Sequence, residues 1–255
     1  MDDGPLQILM YVGFGIAAAV VAYFAWLADK KRREALIAFA AEYGWTLSLE
    51  KRRGGPGFPS EIFDRGHSRW TRRNMLKTIA KAIPGGPGNG SADAQAFEYH
   101  YAITSGSGKN RRTHHYYFTC LLLHVPIGLG RVFMRDEHFG DKFVQGIGFD
   151  DIDLEDPDFS SKFVVKASDR KDAYDLLGPS LMTFMRGWQG LIVQTNGADM
   201  LVSMKGRLDP HDVMHLERFM RGFLGNLPRL LVNNARVEAG MGPITEAGDV
   251  ASYNS

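Results

Sequence analysis

Leu6 to Ala28 runs for 23 residues without an Asp, Glu, Lys, Arg or His, and Gln7 is its only strongly polar residue. As a helix it would be about 34 Å long at ~1.5 Å per residue, against a hydrocarbon core of about 30 Å. Ten of its residues are Leu, Ile, Val or Phe, which together favour insertion by roughly 3–6 kcal/mol on the biological scale. Tyr11 lies near one end, and Tyr23 and Trp26 near the other, where amphipathic rings favour the headgroup layer. A core helix apolar on every side would need a domain wrapped around it. A cleaved signal peptide would open on positive charge and close on a small-residue site, whereas this chain opens Met1-Asp2-Asp3. The segment reads as a single transmembrane anchor, residues 1–29.

The flanking charge sets an orientation. Asp2 and Asp3 precede the apolar run, and Lys30, Lys31, Arg32 and Arg33 follow it. Positive residues stay in the cytoplasm. The expected topology is therefore a single-pass cell-membrane protein, N-terminus outside, with a cytoplasmic domain over residues 30–235. The single cysteine, Cys120, permits no internal disulfide, in keeping with a reducing compartment.

The net charge of the 255-residue chain is +1, which argues against a nucleic-acid partner. Its distribution is uneven. Residues 30–81 hold thirteen Lys or Arg against five acidic residues, and residues 136–175 hold five against twelve. The two regions face each other or solvate their own faces, or the basic one lies against anionic lipid headgroups, where each Lys or Arg adds about 1 kcal/mol.

Along the chain, Glu34–Tyr43 reads as a helix with Ala35, Leu36, Phe39 and Ala40 on one face and Gly44 as its stop. "WTLSLE" alternates as a strand. Flexible inserts are expected near 51–60 and 84–96, rich in Gly and Pro, and "RGHSRWTRRNMLKTIAKAI" between them as partly helical. "FEYHYAIT" (97–104) and "THHYYFTCLLLHV" (113–125) form a hairpin, with Phe97, Tyr99, Tyr101 and Ile103 on one side. "GRVFMRDE" and "SKFVVKAS" are further strands, separated by an acidic loop. Asp169 caps a short helix, and Gly178-Pro179 starts another. "LIVQTNG" and "DMLVSMKG" make a second hairpin about Gly197. The last helix opens at Asp209-Pro210, with an apolar stripe Val213, Leu216, Met220, Phe223, Leu227 and Leu230 that Pro228 kinks or ends. That stripe packs into the core or forms a homo-oligomer seam. From Arg236 to Ser255 the composition is that of a disordered tail. Hairpins dominate, so the fold class is α+β: a mainly antiparallel sheet with helices on one face.

The runs "FEYHYAITSGSG…YYFTCLLLHVP" and "DDIDLEDPDFSSKFVVKASDRKDAYDLLGPSLMTFM", then a hairpin and a helix ending "FLGNLP", resemble an uncharacterised bacterial family of membrane-anchored proteins. The likeness covers roughly residues 35–232. It implies one fold unit and membrane attachment, and it brings no catalytic residues.

Several stretches suggest chemistry. "HDVMH" sets His211 and His215 on one helical face, as in His-Glu-x-x-His zinc sites. Asp212 replaces the Glu, no third ligand is near, and the segment sits where a helix N-terminus wants a carboxylate. Asp151, Asp153, Asp156 and Asp158 alternate like calcium ligands, but position six of an EF-hand loop from Asp151 is Asp156 rather than Gly, and position twelve is Lys162 rather than Glu. On the 113–125 strand, His114 and Cys120 share one face and His115 takes the other. "GGPGNG" lacks the Lys-Ser/Thr of a phosphate loop. No cofactor or metal is expected. The basic residues Lys30, Lys31, Arg32, Arg33, Arg69, Arg72 and Arg73 are candidates for contact with a lipid surface. The resulting expectation is a non-enzymatic domain that binds lipid or a protein partner at the inner face of the bilayer. The alternative is a membrane-bound metal-dependent hydrolase, using the acidic-loop carboxylates with His138 or His211.

Overall fold

A computed structural model describes residues 4–136, 150–152, 154 and 156–244. The chain forms two units, Met1–Gly44 and Trp45–Ser255.

The first unit is one helix, α1 (Gly4–Tyr43). The expected anchor and the following short helix are thus continuous. Leu9 is 72% exposed, Phe14 69% and Phe24 62%, and none of the apolar stretch is buried. A helix buried in a protein core hides such side chains, whereas this stretch leaves them exposed. Phe39 stacks on Tyr43 one turn later, ring centroids 4.7 Å apart. Gly44, at φ +71°, ends the helix in the left-handed conformation that glycine adopts without penalty.

The second unit contains, in chain order, β1 (Thr46–Ser48), β2 (Arg52–Arg53), α2 (Glu61–Asp64), β3 (His67–Ile79), β4 (Ala92–Ser105), β5 (Arg112–His124), β6 (Val132–Asp136) and β7 (Asp150–Asp151). Then follow α3 (Pro157–Ser160), β8 (Phe163–Ala167), α4 (Arg170–Leu176), α5 (Pro179–Met185), β9 (Leu191–Asn196), β10 (Asp199–Lys205), α6 (Pro210–Gly225) and α7 (Arg229–Glu238). Among the described residues the strands make one sheet in the order β1-β3-β4-β5-β10-β9-β6-β8-β7, with β2 also on β3. Every pairing is antiparallel. The α+β class holds.

Alternation sorts the side chains between two faces. One face carries Phe97, Tyr99, Tyr101, Phe118, Cys120, Phe133, Ile192 and Leu201, all buried. It is closed by Phe58, Ile62 and Phe63 from the segment around α2. The Phe63 carbonyl fastens that segment, accepting from the Tyr99 hydroxyl at 3.0 Å and from Arg69 at 3.0 Å. The insert expected to be flexible near 51–60 therefore contributes a buried residue and leads into the lid of the aromatic face. The opposite face carries Glu98, Thr119 and Leu121, and α6 packs on it through β5 and β10. Val213, Leu216, Met220 and Phe223 of α6 are buried, so this stripe is core rather than an oligomer seam. Phe184 of α5 meets Phe219 of α6, and Phe159 of α3 stacks on Phe163 of β8.

Four expectations need correction. The basic segment taken as partly helical is the long strand β3. Its register slips twice, between His67 and Trp70 and between Arg72 and Met75. Ser68 and Arg73 hold positive φ at those bulges, +54° and +57°, and each bulge shifts the alternation by a residue. Second, the second insert is strand from Ala92 onward. Third, Pro228 starts a separate helix, and Leu230, the last residue of the expected buried stripe, is 68% exposed on it. Fourth, the ordered chain continues past Arg236. The Arg236 side chain donates to the Gly85 and Gly242 carbonyls, and the Ile244 N–H donates to Asn233 Oδ1 at 2.9 Å.

Candidate functional site

Within α1, Lys30 lies over the Trp26 ring at 5.5 Å and 4.0 Å from Glu34. Lys31 and Arg33 are exposed and Arg32 is half-buried. Four cations thus follow the apolar stretch on one continuous helix.

The other three candidates for lipid contact are spoken for within the sheet domain. Glu98, on β4 and fully buried, accepts from Arg72 Nε at 2.7 Å and from an Arg73 guanidinium nitrogen at 2.9 Å. It also accepts from the Leu208 N–H at 3.2 Å. Arg73 is itself buried at 3% exposure, because the bulge turns it inward, and it presents no charge to any surface. Arg72 is mostly buried on the same carboxylate. Arg69 donates to the Phe63 carbonyl and lies 3.6 Å from Asp64. These arginines hold the fold together. A carboxylate buried at zero exposure is tolerated because its oxygens are met by charged and backbone donors.

Next to this cluster is a row of stacked rings across β3, β4 and β5. Trp70 stacks on His100 at 4.6 Å, and His100 stacks on His115 at 5.2 Å. Tyr117 leans on His100 at 4.8 Å. His100 Nδ1 lies 3.0 Å from the Ser68 carbonyl, and His100 Nε2 lies 3.0 Å from His115 Nδ1. The carbonyl can only accept, so Nδ1 of His100 carries a proton. Burial pushes the His100 pKa down, His115 and Lys51 push the same way, and the Ser68 hydrogen bond opposes them. A neutral His100 then accepts from His115 through Nε2. Cations rim the row: Lys51 over Trp70 at 4.6 Å, Arg72 over Trp70 at 5.2 Å and Arg207 over Tyr117 at 4.1 Å. Ring and cation contacts of this kind add favourable energy across β3, β4 and β5. Sequence reasoning placed His115 on the face opposite His114 but did not supply its partner. The available signal was the polar side of "FEYHYAIT": Glu98 and His100 interrupt a strand whose other side is aromatic.

The "HDVMH" segment opens α6. Ligand atoms of Asp209, His211 and Asp212 lie within 4.8 Å of one another. Each carboxylate has a structural task. Asp209 is the N-cap, accepting from the Asp212 N–H at 3.0 Å. Asp212 accepts from the Thr119 hydroxyl at 3.4 Å, and its pKa is raised, chiefly by burial and then by Asp209. The positive end of a helix favours carboxylates and disfavours a cation. His215 leans edge-on against Trp188 at 5.0 Å. Burial lowers its pKa.

In the acidic loop, Asp156 caps α3, accepting from the Phe159 N–H at 3.0 Å. Arg186 lies 3.4 Å from Asp156 and 3.8 Å from Asp158. The backbone of Asp151 belongs to β7, while Asp153 and His138 lie outside the described residues. Arg186 also lines a cleft of about 320 Å³ with Asp136, Lys162, Phe163, Trp188 and Gln189. Cys120 is fully buried, and burial pushes its thiol pKa up, away from reactivity.

No protein-family model matches the chain, and no curated protein matches it. Among solved structures, it aligns with the crystal structure of the mycobacterial trehalose monomycolate transport factor A, TtfA. The identity is 12%, the alignment covers 84% of this chain and 97% of that one, and the TM-score is 0.46. No residue role is carried across from it.

Proposed function

We propose that this chain is a single-pass membrane protein whose folded domain acts as a binding or scaffold module at the cytoplasmic face of the bilayer, without chemistry of its own. The observation that carries the reading is α1. Its apolar stretch is long enough to span hydrocarbon, none of it is buried, and it runs directly into Lys30–Arg33. Exposed in water, ten Leu, Ile, Val and Phe side chains on one helix would be an aggregation site; in lipid they are at home. The four cations on the sheet-domain side favour a cytoplasmic domain. The reading without chemistry of its own is supported by what the charged residues do. Glu98, Arg72, Arg73, Asp209, Asp156 and Arg186 are all occupied in caps and ion pairs that build the fold.

Two measurements on the full-length chain test this. Alkaline extraction of membranes is expected to leave the chain in the pellet, and release into the supernatant would overturn the anchor. A cysteine-free reporter fused after Ser255 is expected to be inaccessible from outside intact cells, and accessibility would reverse the orientation.

A further inference from the structure

The β4–β5 hairpin outruns the sheet around it. Pairing of β3 with β4 stops at His67 opposite Ala102, and pairing of β10 with β5 stops at Lys205 opposite Phe118. The two hairpin strands stay in register as far as Ser105 opposite Arg112. At ~3.3 Å per residue, the ribbon reaches about 10 Å past β3 and about 20 Å past β10. Its tip is a defined turn. The Asn110 N–H donates to the Ser107 carbonyl at 3.1 Å, and the Thr104 and Thr113 hydroxyls meet at 2.9 Å. His67 Nε2 braces the base at 2.8 Å from the Thr104 hydroxyl.

Residues 105–115 are exposed throughout. They include Lys109, Arg111, Arg112, His114 and His115, and no Asp or Glu occurs from 103 to 117. Among the described residues no ion pair joins Lys109, Arg111 or Arg112 to a carboxylate, whereas Arg52, Arg69, Arg72, Arg73, Lys77 and Arg186 all have one. Ile103, opposite His114, adds a partly exposed apolar side chain to the ribbon.

We infer that this basic ribbon is the element through which the sheet domain touches an anionic phospholipid surface. The inference rests on the membrane-tethered reading above. The lipid is favoured over other polyanions because the chain brings its own bilayer. The folded unit begins at Trp45, directly after α1 and 17 residues beyond Ala28, so the domain stays in the neighbourhood of that bilayer, where weak contacts can be occupied. Three cations near an anionic surface suit this regime, as does a net chain charge of only +1, which gives little bulk attraction to nucleic acid. Within the sheet domain, the three cations expected from the sequence to face lipid, Arg69, Arg72 and Arg73, are thus replaced by three at the hairpin tip.

The test uses the full-length chain in nanodiscs with an environment-sensitive fluorophore on Asn110→Cys; buried Cys120 stays unlabelled. Headgroup-linked nitroxide is expected to quench the probe in discs containing phosphatidylglycerol and not in discs of phosphatidylcholine alone. The triple variant Lys109→Glu, Arg111→Glu, Arg112→Glu should lower the docking constant at least 100-fold, and molar salt should do the same by shrinking the Debye length to about 3 Å. Quenching that is equal in both lipids, or absent in both, overturns the ribbon's role. So does a probe that responds to a single-stranded oligonucleotide at lower concentration than to anionic lipid. Alkaline extraction of the same sample reports separately on the anchor. If the chain is released while the probe still distinguishes the two lipids on flotation with vesicles, the anchor reading fails and the ribbon's role stands.

Discussion

Phe24 and Phe97 are the same side chain in opposite circumstances: one is 62% exposed on α1, the other fully buried between β4 and its lid. The difference separates two ways of making a stable element. The apolar stretch of α1 satisfies its backbone internally, and its side chains need only a medium that accepts them, so composition and length suffice. The aromatic face of the sheet needs partners. Phe97 lies opposite Cys120, Tyr99 opposite Phe118 and Tyr101 opposite Tyr116, with Phe63 closing over the row. Moving any one strand by a residue would turn these rings to the other face. The helix should therefore tolerate reordering of its residues and reject charge. The sheet should tolerate surface charge and reject the loss of a partner.

The largest expected effect breaks the sheet at its buried ion cluster. Glu98→Ala leaves Arg73 buried without its carboxylate, which costs about 3–5 kcal/mol. At roughly 2–4 °C per kcal/mol for a domain of this size, the melting midpoint of the full-length chain should fall by about 6–20 °C. Membrane partition should not change. The triple variant Glu98→Met, Arg72→Met, Arg73→Met should recover part of the loss, because it removes both charges along with their shared partner and leaves only the Leu208 N–H without its acceptor. A single variant that melts within a degree of the parent would show that the cluster is not what holds β3 against β4.

The next effect breaks the helix and spares the sheet. Ala18→Arg puts a guanidinium near the centre of the apolar run, at a cost of about 2.5–3.5 kcal/mol. That removes most of the insertion energy of the ten large apolar residues, and an insertion assay should show a large fraction of chains failing to integrate. Exchanging the order of residues 12–22 without changing their composition should leave integration intact. A large loss on reordering would mean that this helix, like the sheet, depends on specific partners.

A smaller effect sharpens the reading of "HDVMH". Asp209→Ala removes the α6 N-cap and should cost about 1 kcal/mol, or about 2–4 °C in the melting midpoint. Asp209→Asn keeps an accepting oxygen and should recover most of it. If divalent metal raises the midpoint of the parent and not of the alanine variant, the three side chains bind an ion and the capping account is insufficient.

The contrast also explains what could be read in advance. The long apolar helix, the two hairpins and the α6 stripe are written in local pattern: a charge-free run, strict alternation, steps of three and four. The β9–β10 turn at Gly197, φ +61°, is local as well. β3 was unreadable because its alternation is broken twice, at Ser68 and Arg73, so that its polar and apolar residues fall in no simple period. The assignment of Arg72 and Arg73 to a surface failed for a different reason. Their partner Glu98 is 26 and 25 residues away, and nothing in either segment alone announces the pair. The same holds for His100 and His115, which meet only once β4 and β5 are in register.

The smallest expected effect is a pH dependence to which His100 contributes. The folded-state pKa of His100 is lowered, mainly by burial, and His215 is lowered for the same reason. Each imidazole therefore takes up a proton more readily in the unfolded chain. Their contribution to stability is complete above the ordinary histidine value near 6.5 and is lost as pH falls through the lowered folded values. The raised carboxyls of Asp212 and Glu61 act with the opposite sign. Their contribution is present in acid and is lost as pH rises through their folded values, so the parent's total response mixes both. His100→Asn separates them, because its amide can still donate to the Ser68 carbonyl while nothing titrates at that position. The melting midpoint of the parent is expected to fall between pH 7.5 and pH 5.5 more steeply than that of His100→Asn, with the difference between the two curves opening below about pH 6.5. Parallel curves would mean that His100 keeps its ordinary protonation behaviour and that the stacked row is held by its rings alone.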